Sequence, residues 1–446
     1  MSSAPWTPLD ESIGRLNTLV SPYTGIVRRV YDVLRGPTDA RLVRIGSETA
    51  EGSELVGSDI GPIREGSGGS NAVPSAAVAA AIAETAERYS ACYQPEEELV
   101  LATAAELGPE AVDPERFALF HASQYERSGF PFVPFDAHTP TRWARAFSLP
   151  DRRAAWLPVQ LVYLGWRDAL PGEDRVGYAT SNGLACGPTL QEAIVSALLE
   201  ALERDAFMIT WNDRLSLPLL DWSGDADLVS YAERHFEGTG LAYAAVDLSC
   251  FWGVPTVLGV VRGSPEAALG VGAGAAATIG GAWRKALAEA FAVRAWARVQ
   301  RLGQDTEREF RDDFSDVLEF SDHVEFYGAP ERARHADFLD ASRARRSTTA
   351  VESLGAANPD ELLAALTERL RGEGLTAYAV DVTSPDVRDA GLAVAKVIVP
   401  ELCQLDVAHR ARYLGGRRLY EAAAALGLVD RPLALADLNP YPHPFP

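Results

Sequence analysis

Two short segments of this chain repeat one pattern, and that pattern limits what it can fold into. Glu84-Thr85-Ala86-Glu87-Arg88 and Glu200-Ala201-Leu202-Glu203-Arg204 each place two glutamates three residues apart, with an arginine directly after the second. Both sit in alanine- and leucine-rich runs free of proline and glycine, Ala80 to Tyr89 and Leu190 to Asp205, so the spacing predicts two helices. At roughly 100° per residue, Glu192, Ser196, Glu200 and Glu203 share one narrow stripe, while Ile194, Leu198, Ala201 and Leu202 lie on the other side. In the first helix, Val78, Ile82 and Ala86 are the residues available for packing. One reading is a pair of solvated faces braced by i,i+3 pairs. The other is two helices that face each other and bring four carboxylates and two guanidinium groups together. Such a cluster would repel itself and requires cations. Hard oxygen donors suit Mg²⁺, which commonly arrives with substrate phosphates, and Arg88 and Arg204 would then clamp those phosphates.

The remaining composition narrows the partners. A net charge of -21 argues against nucleic acid or an anionic membrane as a general partner. Basic residues are almost all arginine; the only lysines are Lys285 and Lys396, and no Gly-Lys-Ser/Thr sequence exists, so a Walker-type phosphate loop is excluded. Four scattered cysteines form no C-x-x-C pair, which argues against zinc and against a disulfide framework. The N-terminus has no targeting pattern and no apolar run reaches spanning length, so a cytoplasmic protein is expected.

Along the chain, the alternation around Gly25 to Leu34 suggests strands, and Gly66-Ser67-Gly68-Gly69-Ser70-Asn71 reads as a flexible loop opening the first acidic helix. Such a loop is either a linker or an anion nest at a helix entrance. Pro109 to Pro140 reads as irregular surface structure, and Ala154 to Tyr163, Leu241 to Leu248, Val254 to Val261, Thr376 to Val382 and Leu392 to Val399 as strands. Gly281 to Leu302 reads as a long helix carrying Glu289 and Arg294. Thr189 and Glu192 form a capping box, T-x-x-E, which competes with any ligand role for Glu192. The seven histidines show no metal spacing. The tail, Asn439-Pro440-Tyr441-Pro442-His443-Pro444-Phe445-Pro446, alternates prolines and presets an extended polyproline conformation able to thread into a site.

Three segments together resemble the YcaO family. They are Ser181 to Thr189 running into Glu200 to Ala206, the helix around Glu84 to Tyr89, and Asp381-Val382-Thr383-Ser384-Pro385-Asp386 followed by Val397 to Pro400. The resemblance covers about Gly66 to Pro446 and implies an α+β fold of mixed sheets with packed helices around a nucleotide site. Residues 1–65 would form a β-rich segment ahead of the catalytic domain of residues 66–446. The resemblance implies ATP and Mg²⁺ as cofactors. It implies Glu84, Glu87, Glu200 and Glu203 as metal ligands, and Ser70, Arg88, Glu192, Ser196, Arg204 and Arg294 beside them at the nucleotide. The chain departs from the family pattern at Ser70, Ala80, Ser196 and Ala292-Val293. The tail resembles that of azoline-forming members, whose carboxylate end reaches the active site, which makes Pro446 a catalytic candidate. The activity implied is ATP-dependent cyclodehydration of Cys, Ser or Thr in a ribosomally made precursor peptide. Alternatives are thioamide or macroamidine formation and a non-catalytic peptide-binding scaffold. The chain is too short to hold a leader-binding module as well, so a separate ThiF-like partner that binds the precursor's leader is expected, together with a homodimer.

Overall fold

The structure is a computed structural model that describes residues 5–50, 67–164, 170–263, 267–303 and 308–445. Helix α1 (Leu9–Asn17) precedes the first two strands, so the N-terminal segment is not purely β. Strands β1 (Val27–Asp32), β2 (Val43–Thr49) and β3 (Ser67–Asn71) form an antiparallel three-stranded sheet in that order, with Arg44 opposite Ser70. The Gly/Ser stretch is therefore a strand from Ser67 onward, where its composition suggests a loop. Pairing with β2 needs only backbone, and the absence of side chains lets β3 lie against helix α2 (Pro74–Cys92). A Cβ at Gly69 would come 2.0 Å from the Ala77 carbonyl oxygen. The sheet thus joins the N-terminal strands to the segment that enters the first acidic helix.

The second sheet runs β4 (Val100–Ala102), β5 (Thr141–Ser148), β13 (Tyr378–Asp381), β14 (Ala393–Ile398), β7 (Leu184–Gly187), with β6 (Ala154–Pro158) also paired to β5. The third runs β11 (Leu269–Ala275), β10 (Thr256–Arg262), β9 (Ala242–Asp247), β8 (Leu219–Asp221), β12 (Arg345–Ser347), antiparallel except for the β12–β8 pair. Mixed sheets with packed helices are the expected α+β arrangement.

Helix α3 (Leu190–Asn212) starts at Thr189, whose hydroxyl accepts the Glu192 N–H at 3.2 Å. Its apolar side, including Ile194, Leu198 and Leu202, is fully buried in the main core. Helix α2 rests on β2 and β3 and touches β7 and β14; α3 packs on the same β7 and β14 and reaches β11. Helix α4 (Ile279–Leu302) covers β10 and β11. Two acidic helices therefore share one pair of strands, and a third helix meets them across β11. Among the described residues no helix is long and apolar enough to cross a membrane.

Candidate active site

The site begins with a glycine. Gly183, just before β7, has φ +67°, and a Cβ there would come 2.3 Å from the Val397 carbonyl oxygen of β14. A side chain is excluded on both counts. The tight approach lets the Gly183 N–H donate to Glu200 Oε1 at 3.3 Å. Lys396 rises from β14 beneath this turn, fully buried, and its Nζ donates to the carbonyls of Thr180 at 2.7 Å and Asn182 at 2.6 Å. Its charge acts on both Glu87 of α2 and Glu200 of α3, and so sits between the two acidic helices. Burial pushes the amine down to about 8, against the pull of those two carboxylates.

The other side of the site is built on an edge strand. β11 ends its sheet, so its outward N–H groups have no strand to pair with. The Ala275 N–H donates to Glu203 Oε2 at 2.7 Å and the Ala273 N–H to Glu289 Oε2 at 2.8 Å. Lys285, one turn before Glu289 on α4, donates to Glu203 Oε2 at 2.9 Å. Arg204 Nη1 lies 3.3 Å from Glu203 Oε1, and its guanidinium sits 4.1 Å from the centre of the Phe445 ring.

These contacts set the charges. Burial raises Glu87 well above the usual carboxylate range, and Glu200 and Glu84 add to this against Arg88 and Lys396. Burial also raises Glu200, outweighing Arg204 and Lys285. Glu203 is the exception. Burial acts to raise it, but Lys285, Arg204 and two hydrogen bonds together hold it below the usual range. Burial carries Glu289 up to about 7. Glu87, Glu200 and Glu289 are thus raised chiefly by burial, and only Glu203 has cations and donors enough to outweigh it.

The residues expected from the sequence divide into two groups. Glu87, Glu200, Glu203 and Arg204 come together. Glu84 stands at the rim, bonded to Arg88 Nη2 at 2.7 Å and to the Gly68 N–H at 2.9 Å, which ties β3 to α2. Ser70 is paired within the sheet opposite Arg44. Ser196 is exposed one turn before Glu200. Glu192 accepts from the Thr7 hydroxyl at 2.6 Å and the Thr189 hydroxyl at 3.2 Å, so its carboxylate ties Thr7 to the start of α3; of the expected capping box only the Thr189 half, its hydroxyl accepting the Glu192 N–H, is formed. Arg294 points elsewhere: its Nη1 donates to Thr38 Oγ1 at 3.0 Å and lies 3.7 Å from Asp39. It follows Lys285 by nine residues, about 180° around the helix, so α4 cannot show both to one site. Pro446 lies outside the described residues.

Lys285, Glu289 and Lys396 were not expected at the site. Their signal was nevertheless in the sequence, because the only two lysines of the chain are the two that meet this cluster.

The donor set fits Mg²⁺ with a nucleotide. Its atoms are carboxylate oxygens, the donors a hard cation takes, and the fully buried Glu203 Oε1 has no hydrogen-bond partner. As they stand, no three of the described acidic, histidine or cysteine side chains are grouped closely enough to hold one ion. Lys285 occupies the other oxygen of Glu203.

Fold and site together present helix-borne glutamates, lysines and arginines around one cluster, in a chain with no glycine-lysine phosphate loop. The chain belongs to the YcaO family: the family model, described as YcaO cyclodehydratase, ATP- and Mg²⁺-binding, matches residues 68–403. ATP and Mg²⁺ are the cofactors that membership assigns. An uncharacterized protein of Methanothermobacter thermautotrophicus (strain Delta H) is 28% identical over 346 residues, which is 75% of this chain and 80% of that protein. A solved heterocyclase in complex with substrate and cofactor is 25% identical with a TM-score of 0.80, and the match covers 100% of this chain and 59% of that one. This chain thus spans about three fifths of that heterocyclase. The YcaO protein of Methanopyrus kandleri, bound with AMPPCP and Mg²⁺, is 20% identical with a TM-score of 0.63, covering 91% of this chain and 94% of that one.

Proposed function

We propose that this chain catalyses ATP-dependent cyclodehydration of Cys, Ser or Thr residues in a ribosomally made precursor peptide, forming thiazolines or oxazolines. The observation that carries this reading is the path of the tail. Phe445 is fully buried, its ring centre 4.9 Å from that of Phe207 and its face under Arg204, so the described tail runs to the arginine that adjoins the acidic cluster. Glu87, Glu200 and Glu203 are the metal ligands of this reading, with Glu84 and Glu289 completing the oxygen set at its two sides. Lys285, Arg204 and Arg88 hold phosphate oxygens, whose charge shifts during phosphoryl transfer. Bound ATP supplies the phosphoryl group that turns an amide oxygen into a leaving group. Lys396 holds the Thr180–Gly183 turn in place under Glu200, so that the carboxylate keeps its aim. In this reading the metal meets Glu203 at Oε1, which has no hydrogen-bond partner, and the half-exposed Lys285 side chain on Oε2 has room to move to a phosphate.

The match covers 59% of the heterocyclase, whose remaining sequence lies outside it. The reading includes a separate partner which binds the leader of the precursor and presents the substrate. The test is mass spectrometry of candidate precursor peptides incubated with this chain, the partner, ATP and Mg²⁺. Loss of water from the peptide, coupled to phosphate release, is the expected result; sulfur incorporation with no loss of water would replace this reading with thioamide formation.

A further inference from the structure

The tail is held by its backbone carbonyls. Arg412 Nη1 donates to the Asn439 carbonyl at 3.0 Å, Trp211 Nε1 to that of Tyr441 at 3.3 Å, and the Tyr327 hydroxyl to that of Pro442 at 2.6 Å. The last anchor is His323 of helix α5 (Phe320–Gly328), whose Nδ1 lies 2.8 Å from the His443 carbonyl oxygen. Its other ring nitrogen, Nε2, lies 2.7 Å from the carbonyl oxygen of Val407. A carbonyl oxygen only accepts, and a neutral imidazole has one N–H and one lone pair. Either tautomer would therefore aim a lone pair at one of the two oxygens, and turning the ring over would set C–H groups in place of the nitrogens and lose both bonds.

His443 shows the contrast. It is stacked on His323 with ring centres 4.2 Å apart, yet its Nε2 faces the Asp406 carbonyl at 2.7 Å while its Nδ1 accepts the Phe445 N–H at 3.3 Å. One proton satisfies that ring. A countercharge for His323 stands nearby: Asp406 is 1% exposed, its Oδ1 has no hydrogen-bond partner, and its Oδ2 is 3.8 Å from Arg412 Nε.

We infer that His323 is doubly protonated in the folded protein and that this cation is the positioning residue which fixes the tail, and with it Phe445 over Arg204. The protonation state stands on the contacts alone; its consequence for catalysis rests on the proposed function. The ionisable groups facing His323 are His443 from the tail and Asp406, His409 and Arg412 from the segment after β14. On its own helix, Asp322 and Glu325 are engaged by Arg308. Burial, then the His443 ring, act to lower the imidazole pKa, and the two carbonyls and Asp406 act to raise it. A neutral ring would make one of the two short contacts repulsive, so the two accepting carbonyls outweigh burial. The paired distances of 2.7 and 2.8 Å are those of donated bonds. A doubly bonded cation raises the folded pKa above its unfolded value, so its stabilisation is present in acid and is lost as pH rises through the folded pKa.

Nitrogen-15 NMR of the full chain labelled at histidine tests this without any assay of activity. At pH 7.5 both ring nitrogens of His323 are expected to be split by a directly bonded proton, whereas a nitrogen without a proton overturns the inference. The signals are assigned by their loss in His323→Asn, or, if that variant does not fold, by the ring contact with His443 in the unaltered protein. The positioning role is read from ring formation against pH, which is expected to fall as His323 loses its second proton while ATP affinity does not follow the same titration. Ring formation that ignores this titration overturns the role. A protein that forms no ring at any pH removes the proposed function and leaves the NMR result standing.

Discussion

Glu203 concentrates the chemistry of the site in one side chain. It is fully buried, yet it accepts from Lys285 and from the Ala275 N–H. Glu203→Gln keeps the shape and removes the charge, so ATP-dependent phosphate release is expected to be lost. Hydrogen bonds to a charged group contribute about 1.5–3 kcal/mol each, so a drop in melting temperature should accompany that loss. Normal turnover in this variant would remove the metal assignment. Lys285→Met is expected to weaken ATP binding about tenfold or more by calorimetry, the equivalent of one charge-assisted phosphate contact. Glu289 adds a pH signature in the nucleotide-free protein. Its pKa is raised to about 7 in the folded state, so its contribution to stability is complete below about 4.5 and is lost as pH rises through 7. Denaturant titrations of Glu289→Gln should show a flatter stability profile between about pH 5 and 7 than the unaltered chain does, given that linkage.

At the scale of elements, helix phase decides which residues meet. Helix α4 turns Lys285 and Glu289 to the site and Arg294 to the Thr38–Asp39 segment. Arg294→Met should therefore leave ATP affinity unchanged and lower stability, because Asp39 is buried and loses one of its arginines while keeping Arg298 at 3.0 Å. A fall in ATP affinity comparable to that of Arg204→Ala would return Arg294 to the nucleotide. Strand geometry acts in the same way. Gly183→Ala must meet both the left-handed backbone and the Val397 carbonyl, at a cost of about 1–3 kcal/mol or more. Since the same turn bonds Glu200 and Lys396, thermal stability and ATP affinity should fall together.

Over the whole molecule, the tail is part of the core. Phe445 is fully buried and the carbonyls of Pro442 and His443 are held by Tyr327 and His323, so removing residues 442–446 should cost stability on the scale of a buried phenylalanine, about 3–5 kcal/mol. An extended proline tail alone suggests that the same deletion would be nearly harmless to the fold. Deleting Pro446 by itself separates function from stability: ring formation measured by mass spectrometry is expected to fall with little change in melting temperature. Full ring formation without Pro446 would make the tail a structural strap.

The two acidic helices and their shared pattern are local properties, and the sequence alone determines them. Alanine- and leucine-rich runs set helix, and a three-residue spacing sets which carboxylates share a stripe. The glycine at 183 and the capping threonine at 189 are equally local, and so is the family resemblance they carry. What the pattern could not determine is which stripe meets which. The Gly/Ser stretch became a strand because β2 offered it hydrogen bonds. Glu192 turned to Thr7, a partner 185 residues away. Lys285 and Glu289 reached the site because β11 is an edge strand that lets α4 approach α3, and Lys396 because β14 runs between α2 and α3. Such contacts depend on the relative placement of distant elements, set by packing and sheet order, which periodicity along the chain does not contain.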